Sequence, residues 1–188
     1  MIQHSVDNLQ RPRGTRDHLP LEMKTRIELE SKLYTTSSLF GFEPIRTPIF
    51  ENLELFTAKS GQDVIGQLYA FEDKSGRKLT LRPELTAPVM RMIATTELRE
   101  KTRPLKLCYS GPCFRYEETK SGRWREFDQF GVEIIGAKGP LVEAEVMACA
   151  TQMLNSSGLN EWTLKIGHIG LLNEFLSFIK LPKQFDND

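Results

Sequence analysis

Between Gly111 and Glu133 the chain places three arginines, an aromatic residue and several carboxylates on what reads as two strands joined by a polar loop. Side chains alternate faces along a strand, so outside the loop one face becomes apolar while the other carries Arg115, Glu117, Phe127, Gln129 and Glu133. Guanidinium groups match carboxylate and phosphate oxygens in pairs, and carboxylates accept hydrogen bonds from ammonium and imidazole donors. Such a set suits a small zwitterion together with a polyphosphate. Phosphoryl and nucleotidyl transfer depend chiefly on positioning and charge neutralisation, which arginine supplies without changing its protonation. The competing reading is a charged sheet surface with incidental ion pairs, each contributing little.

Adjacent residues extend the same face. Alternation sends Phe130, Val132 and Ile134 behind the sheet, and Gly131 leaves floor space between Gln129 and Glu133 where a small ligand could reach the backbone. On the preceding element Thr80, Arg82 and Glu84 share one parity, and Thr86 follows just after.

The elements that must hold these groups can be read from periodicity. Residues 1–10 read as a loose leader and residues 11–20 as an irregular, basic lead-in. Residues 21–40 predict a long helix with two apolar stripes, Met23, Ile27 and Tyr34 on one line and Leu29, Leu33 and Phe40 on another. That is more than a one-sided surface helix requires, so either a second subunit or more of its own domain covers the second stripe. Gly41 ends the helix, and residues 42–50 run extended with Pro44 and Pro48, which confine the segment to a sheet edge or an interface. Residues 68–71 and 78–82 bracket a turn-rich hairpin connection, and residues 83–99 contain a helix. Residues 105–117 and 126–135 are the two strands of the ribbon. A helix over 141–154 puts Val142, Val146, Cys149, Ala150 and Met153 on one face, with a strand at 162–166 and a helix at 170–179 to follow. Antiparallel hairpins mixed with helices make the class α+β.

Composition excludes several functions. The 188 residues carry 25 lysines plus arginines against 25 aspartates plus glutamates, so no bulk charge drives adhesion to nucleic acid or membrane, and anion binding must be local. Cys108, Cys113 and Cys149 are odd in number and lack paired metal-ligand spacing, which argues against a disulfide framework and for a reducing, cytoplasmic setting. The separation of His4, His18 and His168 makes lead-in or loop roles the expectation rather than general-base chemistry. There is no secretory core at the N-terminus and no apolar run approaching the roughly 20 residues that span a bilayer, so a soluble protein without a membrane partner is expected.

Several short motifs then stand in a recognisable order. Residues 11–179 resemble the N-terminal half of the catalytic domain of class II aminoacyl-tRNA synthetases, and the histidyl-tRNA synthetase family in particular. Gly41-Phe42-Glu43-Pro44-Ile45-Arg46-Thr47-Pro48-Ile49-Phe50-Glu51, with the helix before it, is similar to motif 1, which implies a homodimer through residues 21–50. Phe114-Arg115-Tyr116-Glu117, the loop with Ser121-Gly122-Arg123-Trp124-Arg125, and Glu126-Phe127 resemble motif 2. By that resemblance Arg115 holds the α-phosphate of ATP, Glu117 reads the adenine amino group, Phe127 stacks beneath the adenine and Arg123 meets the γ-phosphate, with Arg125 in support. The loop would also approach the acceptor end of tRNA. Leu81-Arg82-Pro83-Glu84-Leu85-Thr86, Gln129-Phe130-Gly131-Val132-Glu133 and Arg13-Gly14-Thr15-Arg16-Asp17 are similar to histidyl-family signatures. Carried over, Glu84, Thr86 and Gln129 bind the amino and carboxylate ends of histidine, and Glu133 reaches its imidazole.

The resemblance implies histidine–tRNA ligase chemistry: ATP and histidine give histidyl-adenylate, Mg2+ screens the phosphates, and tRNA(His) accepts the histidyl group. Residues 11–188 would be the part carrying motifs 1 and 2. A second histidine signature, motif 3 and the anticodon-binding domain have no match among these residues and would follow Asp188. This chain alone is therefore expected to be inactive or incomplete. The alternative is a non-catalytic paralogue such as the regulatory subunit of ATP phosphoribosyltransferase, which senses histidine; a pseudo-synthetase domain appended to a kinase is a third reading. The intact Arg115, Glu117, Arg123 and Phe127 set favours the enzyme, because a histidine sensor has less need of an ATP site.

Overall fold

The computed structural model describes residues 10–58, 65–118 and 122–179. The leader before Gln10, with His4, and the loop residue Ser121 lie outside the described residues. The chain divides into two units, Met1–Gly158 and Leu159–Asp188.

In the first unit the long helix α1 spans Pro20–Leu39. Proline opens it, since its fixed φ suits a position whose N–H has no intrahelical acceptor. Gly41 closes it at φ 79°, with the Phe42 N–H reaching back to the Ser37 carbonyl at 3.1 Å. The proline-bearing β1, Glu43–Pro44, pairs parallel with the long strand β5, Leu105–Phe114, which pairs antiparallel with β6, Glu126–Ile135. The order β1-β5-β6 leaves β1 at an edge, as its proline requires. A second sheet, in the order β2-β4-β3, comprises β2 (Phe50–Asn52), β3 (Ala70–Glu72) and β4 (Lys78–Leu81), all antiparallel. Between these lie α2 (Glu54–Thr57) and α3 (Thr86–Thr95), and α4 (Pro140–Ser156) follows β6.

Alternation along β5 sorts the core onto the two faces of the ribbon. Leu105, Leu107, Tyr109 and Cys113 pack with Leu85, Val89 and Ile93 around α3. Cys108 goes the other way, joining Phe42, Cys149 and Met153, with Phe130, Val132 and Ile134 packed against them. The expected backing of the sheet is therefore present, and α4 supplies it. Thr36 and Ser37 at the end of α1 are buried, and the Thr36 hydroxyl lies 3.2 Å from that of Ser156, so small polar residues let α1 and α4 approach closely. Two expectations for this unit change. Ala150 is exposed rather than part of the buried stripe of α4, whose inward line runs through Cys149 and Met153. Strand β5 ends at Phe114, three residues before the expected Glu117, because the chain must leave the ladder to form the loop.

In the second unit α5 spans Ile169–Phe178, and His168 Nδ1 accepts the Leu171 N–H at 3.0 Å to cap it. The strand expected at 162–166 is absent, since extended residues become a strand only against a ladder partner and none pairs here among the described residues.

Candidate active site

Register decides which groups meet. In the ribbon Cys113 stands opposite Phe127, Gly111 opposite Gln129, Tyr109 opposite Gly131 and Leu107 opposite Glu133. Phe127, Gln129 and Glu133 thus share the face turned toward α3, as alternation requires.

At one end of this face lies Arg115. Its N–H pairs with the Arg125 carbonyl at 3.0 Å, carrying the ladder one residue past the strand. Its Nε donates to the Pro83 carbonyl at 2.9 Å, and the guanidinium sits 5.3 Å from the Phe127 ring centroid. Both contacts fix the side chain at its Nε and its stacked plane, so the terminal nitrogens can meet an anion beside an aromatic platform. Past Arg115 the loop root is braced: the Tyr116 N–H donates to the Gln67 carbonyl at 2.8 Å, and the Tyr116 ring meets Tyr69 edge-on at 5.5 Å. Arg125 stacks on Tyr116 at 3.9 Å and donates from Nε to the Glu117 carbonyl, so it shapes the loop rather than facing the ribbon. Arg123 is exposed and lies 3.5 Å from the Glu117 carboxylate, so the two residues assigned to opposite ends of ATP pair with one another here.

Next to Pro83, Glu84 precedes α3. Its two carboxylate oxygens accept the N–H groups of Thr86 (2.6 Å) and Ala87 (2.9 Å), satisfying free donors at the helix N-terminus and placing negative charge where the helix dipole favours it. The Thr86 hydroxyl lies 3.3 Å from the Tyr109 hydroxyl, which donates to Glu133 Oε1 at 2.9 Å. Gln129 Oε1 accepts from the Cys113 thiol at 3.2 Å. Burial pushes the Cys113 thiol up to about 11 and raises the Tyr109 phenol well above its ordinary value, so both stay protonated donors.

The floor space expected over Gly131 is not open. A Cβ at Gly131 would lie 2.4 Å from the Tyr109 ring, which fills that place. Tyr109 is the site residue that sequence reasoning missed. Its parity with Arg115 signalled the face, but only the register reveals that it crosses a glycine. Arg82 is a second correction: it is 1 % exposed and spends its donors on the carbonyls of Thr47, Pro48 and Pro112 rather than on the polar face. The lead-in also belongs to the site, because the Gly14 carbonyl accepts the Arg125 N–H at 2.8 Å and Arg16 stacks on Trp124 at 5.2 Å.

Beside the ribbon opens a cavity of 860 Å³ lined by Glu84, Arg115, Phe56 and the Glu51–Arg91 ion pair, among others. Among the described residues no three His, Cys, Asp or Glu side chains converge on a point that could hold a metal ion, and no helix is long and apolar enough to cross a membrane.

The ribbon and its flanking elements recur in known proteins. The family model described as histidyl-tRNA synthetase matches residues 14–187. A histidine–tRNA ligase of Archaeoglobus fulgidus is 50% identical over 168 residues, 89% of this chain and 41% of that protein, so the chain spans about two fifths of the length of the curated relatives it matches. A crystal structure of an ATP phosphoribosyltransferase regulatory subunit/histidyl-tRNA synthetase from Bacillus halodurans superposes with a TM-score of 0.80 at 32% identity, covering 91% of this chain and 44% of that one. Apo histidyl-tRNA synthetase of S. aureus superposes with a TM-score of 0.69 at 40% identity, over 81% of this chain and 35% of that one. The mixed α+β architecture, the charged ribbon and a match that runs through nearly every described element agree: the chain belongs to the histidyl-tRNA synthetase family.

Proposed function

We propose that this chain supplies the ATP- and amino-acid-facing ribbon of a histidine–tRNA ligase. One observation carries the reading: a single sheet face holds Arg115 stacked on Phe127 at one end and the Thr86–Tyr109–Glu133 hydrogen-bond line at the other. The first end suits a nucleotide, the second an amino acid with nitrogen donors. In the proposed reaction the histidine carboxylate attacks the α-phosphorus of ATP, pyrophosphate leaves, and histidyl-adenylate forms. The terminal adenosine hydroxyl of tRNA(His) then attacks the acyl carbon and AMP leaves. Arg115 stabilises the charge that develops on the α-phosphoryl group, Phe127 supports the adenine, Glu117 reads the adenine amino group and Arg123 meets the γ-phosphate. The last two roles require their ion pair to open, at small cost because Arg123 is exposed. Glu84, Thr86 and Gln129 take the amino and carboxylate ends of histidine, Glu133 its ring, and Arg125 keeps the loop in shape.

The described residues do not build a metal cage, so Mg2+ would come with the phosphates, as it does where one or two carboxylates suffice. A homodimer through residues 21–50 is supported by Leu21, Met23, Ile27 and Leu29, which stand exposed on α1. A cytoplasmic location agrees with three cysteines buried as free thiols.

Histidine-dependent exchange of pyrophosphate into ATP tests the reading. Exchange in a protein containing this chain is the expected result. Histidine binding with no exchange overturns it in favour of the histidine-sensing paralogue.

A further inference from the structure

Tyr109 is 6 % exposed and belongs to neither the nucleotide nor the amino-acid set. Its single phenolic proton goes to Glu133 Oε1. With that proton given, the oxygen can only accept from Thr86, 3.3 Å away, so the Thr86 hydroxyl must donate to it. The order Thr86 to Tyr109 to Glu133 leaves Thr86 with lone pairs and Glu133 with its second oxygen, Oε2, both of them acceptors. Burial raises the phenol above its ordinary value, so the order does not reverse near neutral pH. The ring lies over its opposite residue in space that only a glycine leaves, because a Cβ at Gly131 would approach the ring to 2.4 Å and the hydroxyl to 2.5 Å.

We propose that Tyr109 is a positioning residue that sets the polarity of the amino-acid pocket, so that Thr86 and Glu133 both face the ligand as acceptors and the pocket selects an amino acid with N–H donors at both ends. The proposal rests on the histidine reading above and deepens it. A ligand that lacks the ring N–H leaves Glu133 desolvated and unpaired, the situation in which polar pockets discriminate most strongly.

Calorimetric titration of a protein containing this chain with histidine and with thiazolylalanine, a near-isostere whose ring carries no N–H, tests this in wild type, Tyr109→Phe and Gly131→Ala. Wild type is expected to prefer histidine by about a hundredfold or more, as for sites that hydrogen-bond a polar substrate group. Tyr109→Phe should reduce that preference by about tenfold, one hydrogen bond's worth, while thiazolylalanine affinity changes less than about twofold. Gly131→Ala keeps the hydroxyl but displaces it, so it should erode the preference in the same direction, and it carries the test if Tyr109→Phe fails to fold. An equal loss of affinity for both ligands would show a merely structural tyrosine and overturn the proposal, as would an unchanged preference. Should wild type bind no histidine, the histidine reading falls and this inference with it, whereas histidine binding with unaltered preference sinks this inference alone.

Discussion

The guanidinium of Arg82 lies across the backbone of Gly111, where a Cβ would sit 2.3 Å from Nη2. From there Nε reaches the Pro112 carbonyl at 2.8 Å, and Nη1 reaches the carbonyls of Thr47 at 2.9 Å and Pro48 at 3.1 Å. One buried side chain therefore ties β4, the segment after β1, and β5 together beneath the site. Arg82→Met should destabilise the fold by about 3 kcal/mol, because it strands buried carbonyls that the fork now satisfies. Lysine cannot span the same acceptors, so Arg82→Lys should recover little of the loss. Urea unfolding measures both, and an unshifted midpoint for the methionine variant would refute the clamp.

Arg115 is held by Pro83 and Phe127 in a posture that depends on its planar, forked head. Arg115→Lys keeps the charge but loses the Nε bond and the stacking. The exchange rate should fall by about a hundredfold or more, with the circular dichroism spectrum unchanged. A lysine variant with near wild-type exchange would remove Arg115 from the reaction.

The Cys113 thiol titrates near 11 in the folded chain against an ordinary 9.0, because burial disfavours the thiolate. The raised value means the folded state holds its proton where the unfolded chain has released it. This contribution is intact below about pH 9 and is lost as pH rises toward 11, a loss of about 2 kcal/mol in all. The buried Cys108, Cys149 and Tyr109 shift in the same direction and add to the decline. Unfolding midpoints between pH 8 and pH 11 should fall, and Cys113→Ala should flatten the curve. A curve that steepens or stays put in the alanine variant would contradict the assignment.

On α1, Ile27 is 59 % exposed and Leu29 41 %, an apolar surface that water disfavours. Ile27→Glu puts a charge into the proposed subunit contact and should shift light-scattering mass from dimer to monomer while leaving the melting temperature within a few degrees. A wild-type chain that already runs as a monomer would end that part of the reading.

Helical and strand periodicity in the sequence specified α1, the ribbon, α4 and the sorting of Phe130, Val132 and Ile134 behind Gln129 and Glu133, because those depend only on which face each residue takes. Gly41 and the edge prolines were equally legible, since φ preference and a missing N–H act locally. The filling of the Gly131 gap by Tyr109, the burial of Arg82 under Gly111 and the pairing of Glu117 with Arg123 were not. Each joins residues at least six positions apart through the register of β5 on β6, the approach of the chain after β4 to β5, or the path of a loop. Periodicity names a face, but it carries no information about what the neighbouring strand lays across it. The charged ribbon was therefore visible from the chain, whereas the line from Thr86 through Tyr109 to Glu133 exists only after the strands have paired.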